Sequence, residues 1–375
     1  MQDPQQHPAS AARSSLRQQA RRLAMAAGAG LLAAGATAAH AQSSVTFYGI
    51  VDSALQVGKF DRNISPTPMA ASGNLQASRF GFRGAEDLGG GNSANFQLET
   101  GFNTDTGAGG GNTLFNRGAS VGLSSRSYGS VDAGFLYLPI YWVFLSSDVS
   151  TYGLANPAAI MSLEHSSTLG SSGTGGFYPN AVRYRTPVLF GGLTSEIGYS
   201  FGAENNEGLN DAGRNAGANV QYTRDRFTVG YGYNRYRYFA AGSPTVSSAQ
   251  ITQVLSGSYK IGDNAVGANY VHSTRSDATG WFASAFMVNA KIPFGQGDIE
   301  LGAARRIQNG DAHAMAYDIG YVYFLSKRTQ LYTYATTIRN NSRSTQGFAL
   351  LNSSYATVSP GFNPWAITAG LRTSF

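Results

Sequence analysis

Residues 79–102 read RFGFRGAEDLGGGNSANFQLETGF. Before the glycine run, Phe80 and Phe82 alternate with Arg79, Gly81 and Arg83. After it, Phe96, Leu98, Thr100 and Phe102 alternate with Asn95, Gln97 and Glu99. Successive side chains on a strand point to opposite faces, so this stretch reads as a hairpin. One face is apolar and the other is charged. What covers the phenylalanines has to be read from the rest of the chain.

The period of two continues to the end. Val45, Phe47, Val51, Leu55 and Val57 share a face, with Thr46, Tyr48, Asp52 and Gln56 on the other. Val131, Ala133, Phe135 and Tyr137 form a stripe. Val182 and Tyr184 oppose Arg183 and Arg185. Ile299, Leu301 and Ala303 oppose Glu300, Gly302, Ala304 and Arg306. Tyr317, Ile319, Tyr321 and Tyr323 oppose Asp318 and Gly320.

Short connections such as EDLGGG, TRDR, IGDN and PFGQG alternate with long ones. The long ones run around 58–77, 103–116, 139–180, 202–216, 239–249, 273–281, 308–314 and 339–364. That rhythm, with about sixteen strands, marks an outer-membrane barrel. In lipid every backbone N–H and C=O must be paired, and strands achieve this only by closing on themselves. The sequence therefore predicts an all-β fold: one transmembrane antiparallel β-barrel. Its apolar face meets lipid and its charged face meets water. A barrel of about sixteen strands leaves an aqueous lumen, and a lumen conducts. A soluble sandwich or secreted adhesin would bury the apolar faces instead. It accounts neither for the loop rhythm nor for the aromatic last residue, Phe375.

Composition agrees. There are 47 Gly, 21 Tyr and 21 Phe, and only 13% of residues are charged, against about 25% in soluble domains. After residue 41 no apolar run reaches the roughly 18 residues of a membrane helix. Without cysteine the chain has no disulfides to close its structure. Residues 1–41 read as an export signal: Arg13, Arg17, Arg21 and Arg22, an apolar run from Leu23, and Ala39-His40-Ala41 as a cleavage site. The barrel domain would then be 42–375. Those four arginines and Asp3 carry half of the formal net charge of +6. The remaining chain has no basic run, so no nucleic-acid partner is expected.

No catalytic or cofactor signature stands out. GAGGGN at 107–112 opens no helix, as a phosphate loop must. His165, His272 and His313 are too scattered for a zinc motif. There is no Gly-x-Ser-x-Gly. The expectation is a channel that is not an enzyme, with no cofactor and no metal. An outer-membrane hydrolase, and a surface adhesin or receptor barrel with little conductance, are the readings from other classes.

SVTFYGIVDSAL at 44–55, SRFGFRGAEDLGGG, ANFQLETGFN, LFNRGASVGLSS, YGSVDAGFLYLP, NAVRYRTP and the closing GLRTSF carry a family likeness. Together they resemble the Gram-negative general porins of beta-proteobacteria such as Burkholderia, Bordetella and Neisseria. The resemblance implies a sixteen-stranded homotrimer in the outer membrane, among lipid and lipopolysaccharide. It implies a third extracellular loop folded into each barrel, and passive diffusion of ions and small hydrophilic solutes. It implies a constriction with basic groups on one wall and acidic groups facing them.

Arg79 and Arg117 match the family's arginine-bearing strands. Arg83, Arg183 and Arg185 join them by inward parity. Strict alternation puts Arg117 on the face of Val121 and Leu123, so it reaches the pore only if its strand begins irregularly. The inserted loop, roughly 140–178, contributes Asp148 and Glu164 as acidic groups. Asp52, Glu99 and Asp132 are inward acids on strands, read equally as constriction groups or as lumen solvation. Tyr48, Trp281, Tyr323 and Trp365 read as an interfacial girdle. Phe375 is the expected address for the outer-membrane assembly machinery. Where many relatives carry Gly-Arg-Gln, this chain has Gly134-Phe135-Leu136. It also lacks the Pro-Glu-Phe-Gly-Gly of enteric relatives. Both departures leave room for a substrate-selective pore.

Overall fold

A computed structural model describes residues 44–137, 139–149, 177–202, 213–239, 247–276, 280–348 and 357–375. The expected export signal and Glu164 lie outside these residues. The strands are β1 (Ser44–Lys59), β2 (Thr67–Ser72), β3 (Arg79–Gly89), β4 (Asn92–Gly101), β5 (Gly118–Ser125) and β6 (Gly129–Tyr137). A short helix follows, α1 (Pro139–Ser146), with proline at its first position. Then come β7 (Phe177–Arg185), β8 (Leu193–Ser200), β9 (Asn215–Arg224), β10 (Phe227–Phe239), β11 (Ser247–Ile261) and β12 (Asn264–Arg275). The last five are β13 (Phe282–Phe294), β14 (Gly297–Gln308), β15 (Ala312–Phe324), β16 (Thr329–Asn340) and β17 (Trp365–Ser374).

From β3 onward, neighbours in sequence pair as antiparallel neighbours in one sheet. β17 closes on β1 from Ile50↔Ser374 to Lys59↔Trp365. On its other edge β1 pairs with β3 over Ser44–Ile50 and with β2 over Ser53–Gly58. Thus β2 and β3 are two pieces of one stave, and the seventeen strands form a closed barrel of sixteen staves. Among the described residues no helix is long and apolar enough to cross a membrane.

Two connections differ from the sequence reading. β2 lies inside the stretch read as a loop, 58–77. Its sequence, TPMAAS, has no alternation to betray it, and among the described residues its one strand partner is β1. The connection read as 308–314 is only a three-residue turn, 309–311, in which Gly310 and Asp311 both take positive φ.

The two faces are inverted relative to a soluble protein. Val45, Phe47, Leu55, Val121, Leu123, Ile197, Leu255, Phe286, Ile319 and Ile367 are exposed on the outside. Asp52, Gln56, Glu99, Asp132, Arg183, Asn219, Asn269, Glu300 and Asp318 are buried on the inside. The opening hairpin obeys this rule: Phe80, Phe82 and Phe96 are exposed, while Glu99 is buried.

The apolar core is inside the barrel but off its axis. Ile140, Val143 and Phe144 of α1 cluster with Val254, Val271, Met287, Ala304, Ala316 and Ile338 of the inner wall. The wall is cut back to admit the helix. A Cβ on Gly232 would lie 3.2 Å from Ile140 Cγ1, and one on Gly267 only 1.8 Å from the Ser147 carbonyl oxygen. Asn219 Nδ2 donates to Pro139 O at 2.7 Å and Asn269 Nδ2 to Ser147 Oγ at 3.0 Å, pinning both ends. The described start of the third loop is therefore seated within the lumen.

Candidate channel constriction

Glu99, on β4, gathers the basic wall. Its Oε1 accepts from Arg117 Nε at 2.9 Å. Its Oε2 accepts from the Tyr48 hydroxyl at 2.9 Å and lies 3.9 Å from Arg79 Nε. The carboxylate is covered, with 9% side-chain exposure, whereas Arg79 and Arg117 keep 21% and 22%. The exposed charge at this level is therefore guanidinium. Arg83 is exposed four residues further along β3, its guanidinium 5.1 Å from the centre of the Tyr48 ring. Tyr48 is a lumen residue and not part of the girdle: it shares the inward parity of Asp52 and Gln56, and alternation outweighs its closeness to a strand end.

The irregular entry that Arg117 requires is present. Gly118 is the register partner of Glu99, yet the Arg117 N–H also donates to Glu99 O at 3.2 Å. Two residues thus stand opposite one, and the Arg117 side chain turns inward ahead of the strand. A similar slip affects Tyr137. Pairing jumps from Gly134↔Ala181 to Leu136↔Tyr178, which leaves an extra residue on β7 and Asn180 at φ 49°. Beyond this bulge the chain turns into α1. Tyr137 then lies beside Arg117 Nη2 (3.4 Å) and stacks on Tyr141 with ring centres 3.9 Å apart. Alternation along β6 places Tyr137 on the outer stripe with Val131 and Ala133; as the last residue of β6 it turns with the chain toward α1 instead.

Arg183 and Arg185 do not join the Glu99 group. Both donate to Asp132 Oδ2, at 3.1 and 2.9 Å. Arg183 also donates to Tyr137 O at 3.1 Å, tying the root of the inserted loop to the wall. Asp52 is occupied by the backbone. Its Oδ2 accepts from the N–H groups of Leu75 and Gln76 at 3.0 and 2.7 Å, and its Oδ1 from the Tyr332 hydroxyl at 2.5 Å. It clips the excursion between β2 and β3 to the inner wall. Asp148 follows α1 and is half-buried.

Several inward groups escaped the sequence reading. Arg372 on β17 pairs across from Asp52 and donates to Gln76 and Gln330 at 2.7–3.0 Å. Its alternation with Leu371 and Thr373 would have flagged it. Glu300 accepts from the Tyr334 hydroxyl at 2.5 Å. Asp318 is buried, and among the described residues neither of its carboxyl oxygens has a hydrogen-bond partner. Both were legible as inward residues, and neither was singled out as a pore acid.

Outside the strands, loops meet over one mouth. Asp61 Oδ1 accepts from the Ser359 N–H at 3.0 Å and Arg62 donates to Pro360 O at 2.9 Å. The Ser359 N–H, and then its hydroxyl, hold the Asp61 carboxyl below the usual carboxylate range.

Comparison with known proteins agrees with this architecture. The model of the family described as Gram-negative porin matches residues 26–343. An outer membrane porin protein of Bordetella pertussis is 28% identical, over 92% of this chain and 98% of its own length. Outer membrane porin protein 32 of Delftia acidovorans is 32% identical, over 90% and 96%. The solved structure of an anion-selective porin from Comamonas acidovorans superposes with a TM-score of 0.77 at 26% identity. That match covers 89% of this chain and all of the other.

Proposed function

We propose a permeation mechanism for this chain, which belongs to the Gram-negative porin family and forms a passive channel in the outer membrane. Family and fold point to a channel rather than an enzyme. The constriction is charged and favours anions. The observation that carries this reading is the pair of partly exposed guanidinium groups, Arg79 and Arg117, drawn over one covered carboxylate. Arg83, Arg372 and the Asp132-linked Arg183 and Arg185 extend the basic wall. Glu300, Asp318 and Asp148, with Glu164 of the inserted loop, supply the opposing sign. An anion passing the arginines meets fixed positive charge in a narrowed aqueous path. Rings of such side chains set selectivity in channels.

The anion selectivity named for the Comamonas relative supports the same sign here. Homotrimeric assembly, removal of residues 1–41 and recognition of Phe375 by the assembly machinery complete the proposal. The test is the reversal potential of single channels in a planar bilayer under a KCl gradient. An anion-selective potential that moves toward cations in R79Q/R117Q is the expected result. A cation-selective wild type would refute it. A second, substrate-selective reading draws on the stacked Tyr137 and Tyr141 beside Arg117. It predicts that aromatic carboxylates block the current at concentrations where acetate does not.

A further inference from the structure

The outer face of a membrane strand carries apolar groups where it meets hydrocarbon, and arginine there is costly except near the interface. Arg305 on β14 and Arg339 on β16 are both exposed on that face. In register, Arg305 lies opposite Met315 of β15, and Met315 lies opposite Arg339. The two arginines thus flank one methionine across three strands, their Cα atoms about 10 Å apart at two strand spacings. Among the described residues neither is paired with a carboxylate. Asp311, in the turn that joins β14 to β15, is engaged: His313 Nε2 is 2.6 Å and Arg343 Nη1 3.6 Å from its two oxygens.

The height of the pair along the wall matters. Below it on the same face run Ile299, Leu301 and Ala303, Tyr317 and Ile319, and Leu331 and Ala335. Above it on that face stand Ile307 and its register partner His313, then the 309–311 turn and, past Arg339, the connection that follows Asn340. The other end of the barrel holds most of the short turns, the start of β1 and Phe375, and is the periplasmic end. The arginine pair therefore sits where hydrocarbon gives way to headgroups of the outer leaflet. In a Gram-negative outer membrane those headgroups are phosphorylated glycolipid.

The geometry points to a lipid A phosphate seated between Arg305 and Arg339, with its acyl chains against Phe286 and Tyr317. Phe286 is the register partner of Arg305 on β13, and Tyr317 is two residues from Met315 on the same face. Guanidinium groups bind phosphate through paired, charge-assisted hydrogen bonds. Anionic headgroup recognition by basic residues at the membrane surface follows the same rule.

The test uses the full barrel, refolded in detergent without lipopolysaccharide, and native mass spectrometry with added bisphosphorylated lipid A. Wild type is expected to retain lipid A. R305Q/R339Q is expected to bind it more weakly, on the order of thirtyfold for two basic contacts. R305K/R339K should keep part of the affinity. Dephosphorylated lipid A should bind wild type no better than it binds the double glutamine variant. Inorganic phosphate at matched concentration should not compete. Heat-modifiable migration shows that each variant is folded, and an unchanged reversal potential separates this site from the lumen. Equal lipid A retention by wild type and R305Q/R339Q would overturn the proposal. So would displacement by inorganic phosphate. A changed subunit number in the double variant without lipid would assign the pair to a protomer contact, which also overturns it.

Discussion

Replacing Glu99 with glutamine isolates the charge of the constriction from its shape. The amide still accepts from Arg117 Nε and still sits beside Tyr48, so the wall keeps its outline. What changes is that one negative charge disappears from beneath two partly exposed arginines. A permeating ion about 5 Å away interacts with a unit charge in water by about 0.8 kcal/mol. The sign is opposite for anion and cation, so the anion-to-cation permeability ratio rises about tenfold in dilute salt. Screening cuts this to about fourfold at physiological ionic strength and below about twofold near 1 M. The assay is the reversal potential of E99Q and wild type under KCl gradients at several mean concentrations. A ratio that stays constant in dilute salt, or moves toward cations, in a folded barrel would refute the assignment. A shift that does not shrink with salt would point to a change of shape instead.

Other perturbations follow from the same geometry. Gly267→Ala places a methyl where the Ser147 carbonyl stands. It should cost about 1–3 kcal/mol of stability and change single-channel conductance by displacing α1; unaltered unfolding and conductance would contradict the seating of the helix. Asp132→Ala leaves Arg183 buried at 8% side-chain exposure without its ion partner and should destabilise the barrel by about 3–5 kcal/mol. Losing Arg185, 40% exposed, should cost about 1 kcal/mol or less, and urea unfolding of both variants checks the order. The Asp61–Ser359 clasp should persist at neutral pH. Its folded pKa is depressed, so its contribution is present above the unfolded carboxylate value and fades as pH falls through the folded one. Limited proteolysis of the 341–364 connection should stay constant from neutral pH down to the carboxylate range, and D61N should raise it at neutral pH.

Most of the fold was legible in the sequence because lipid and water sort side chains strictly. Wherever a strand runs straight, parity alone places its residues, as with Asp52 and Gln56 or Arg183 and Arg185. Misreadings cluster where the backbone breaks step. Tyr137 leaves the outer stripe where β6 ends and the chain turns into α1. β2 was invisible because TPMAAS has no contrast between its faces. For Arg117, the sequence named the condition under which it reaches the pore, and the doubled pairing at Glu99 meets it. Partners were harder to read than faces. No pattern in the chain says that Asp52 serves backbone N–H groups 23 and 24 residues away, or that Arg372 turns to Gln76. Glu300 and Asp318 were visible as inward residues, but no pattern in the chain says that Glu300 accepts from Tyr334 two strands away.

The seam between β1 and β17 carries a kinetic consequence. Across it Thr368 reaches the Leu55 carbonyl, 313 positions away in the chain. Gly49 and Phe375 exchange both of their backbone hydrogen bonds at the last residue. A sheet lacking only that seam still presents two unpaired edges, each a template for aggregation. Contacts this distant in sequence also form slowly. The chain therefore gains little lasting protection from partial assembly, and its final ten residues decide whether the preceding staves become a channel or a hazard. Such a molecule needs to be kept unpaired in transit until its last strand has arrived.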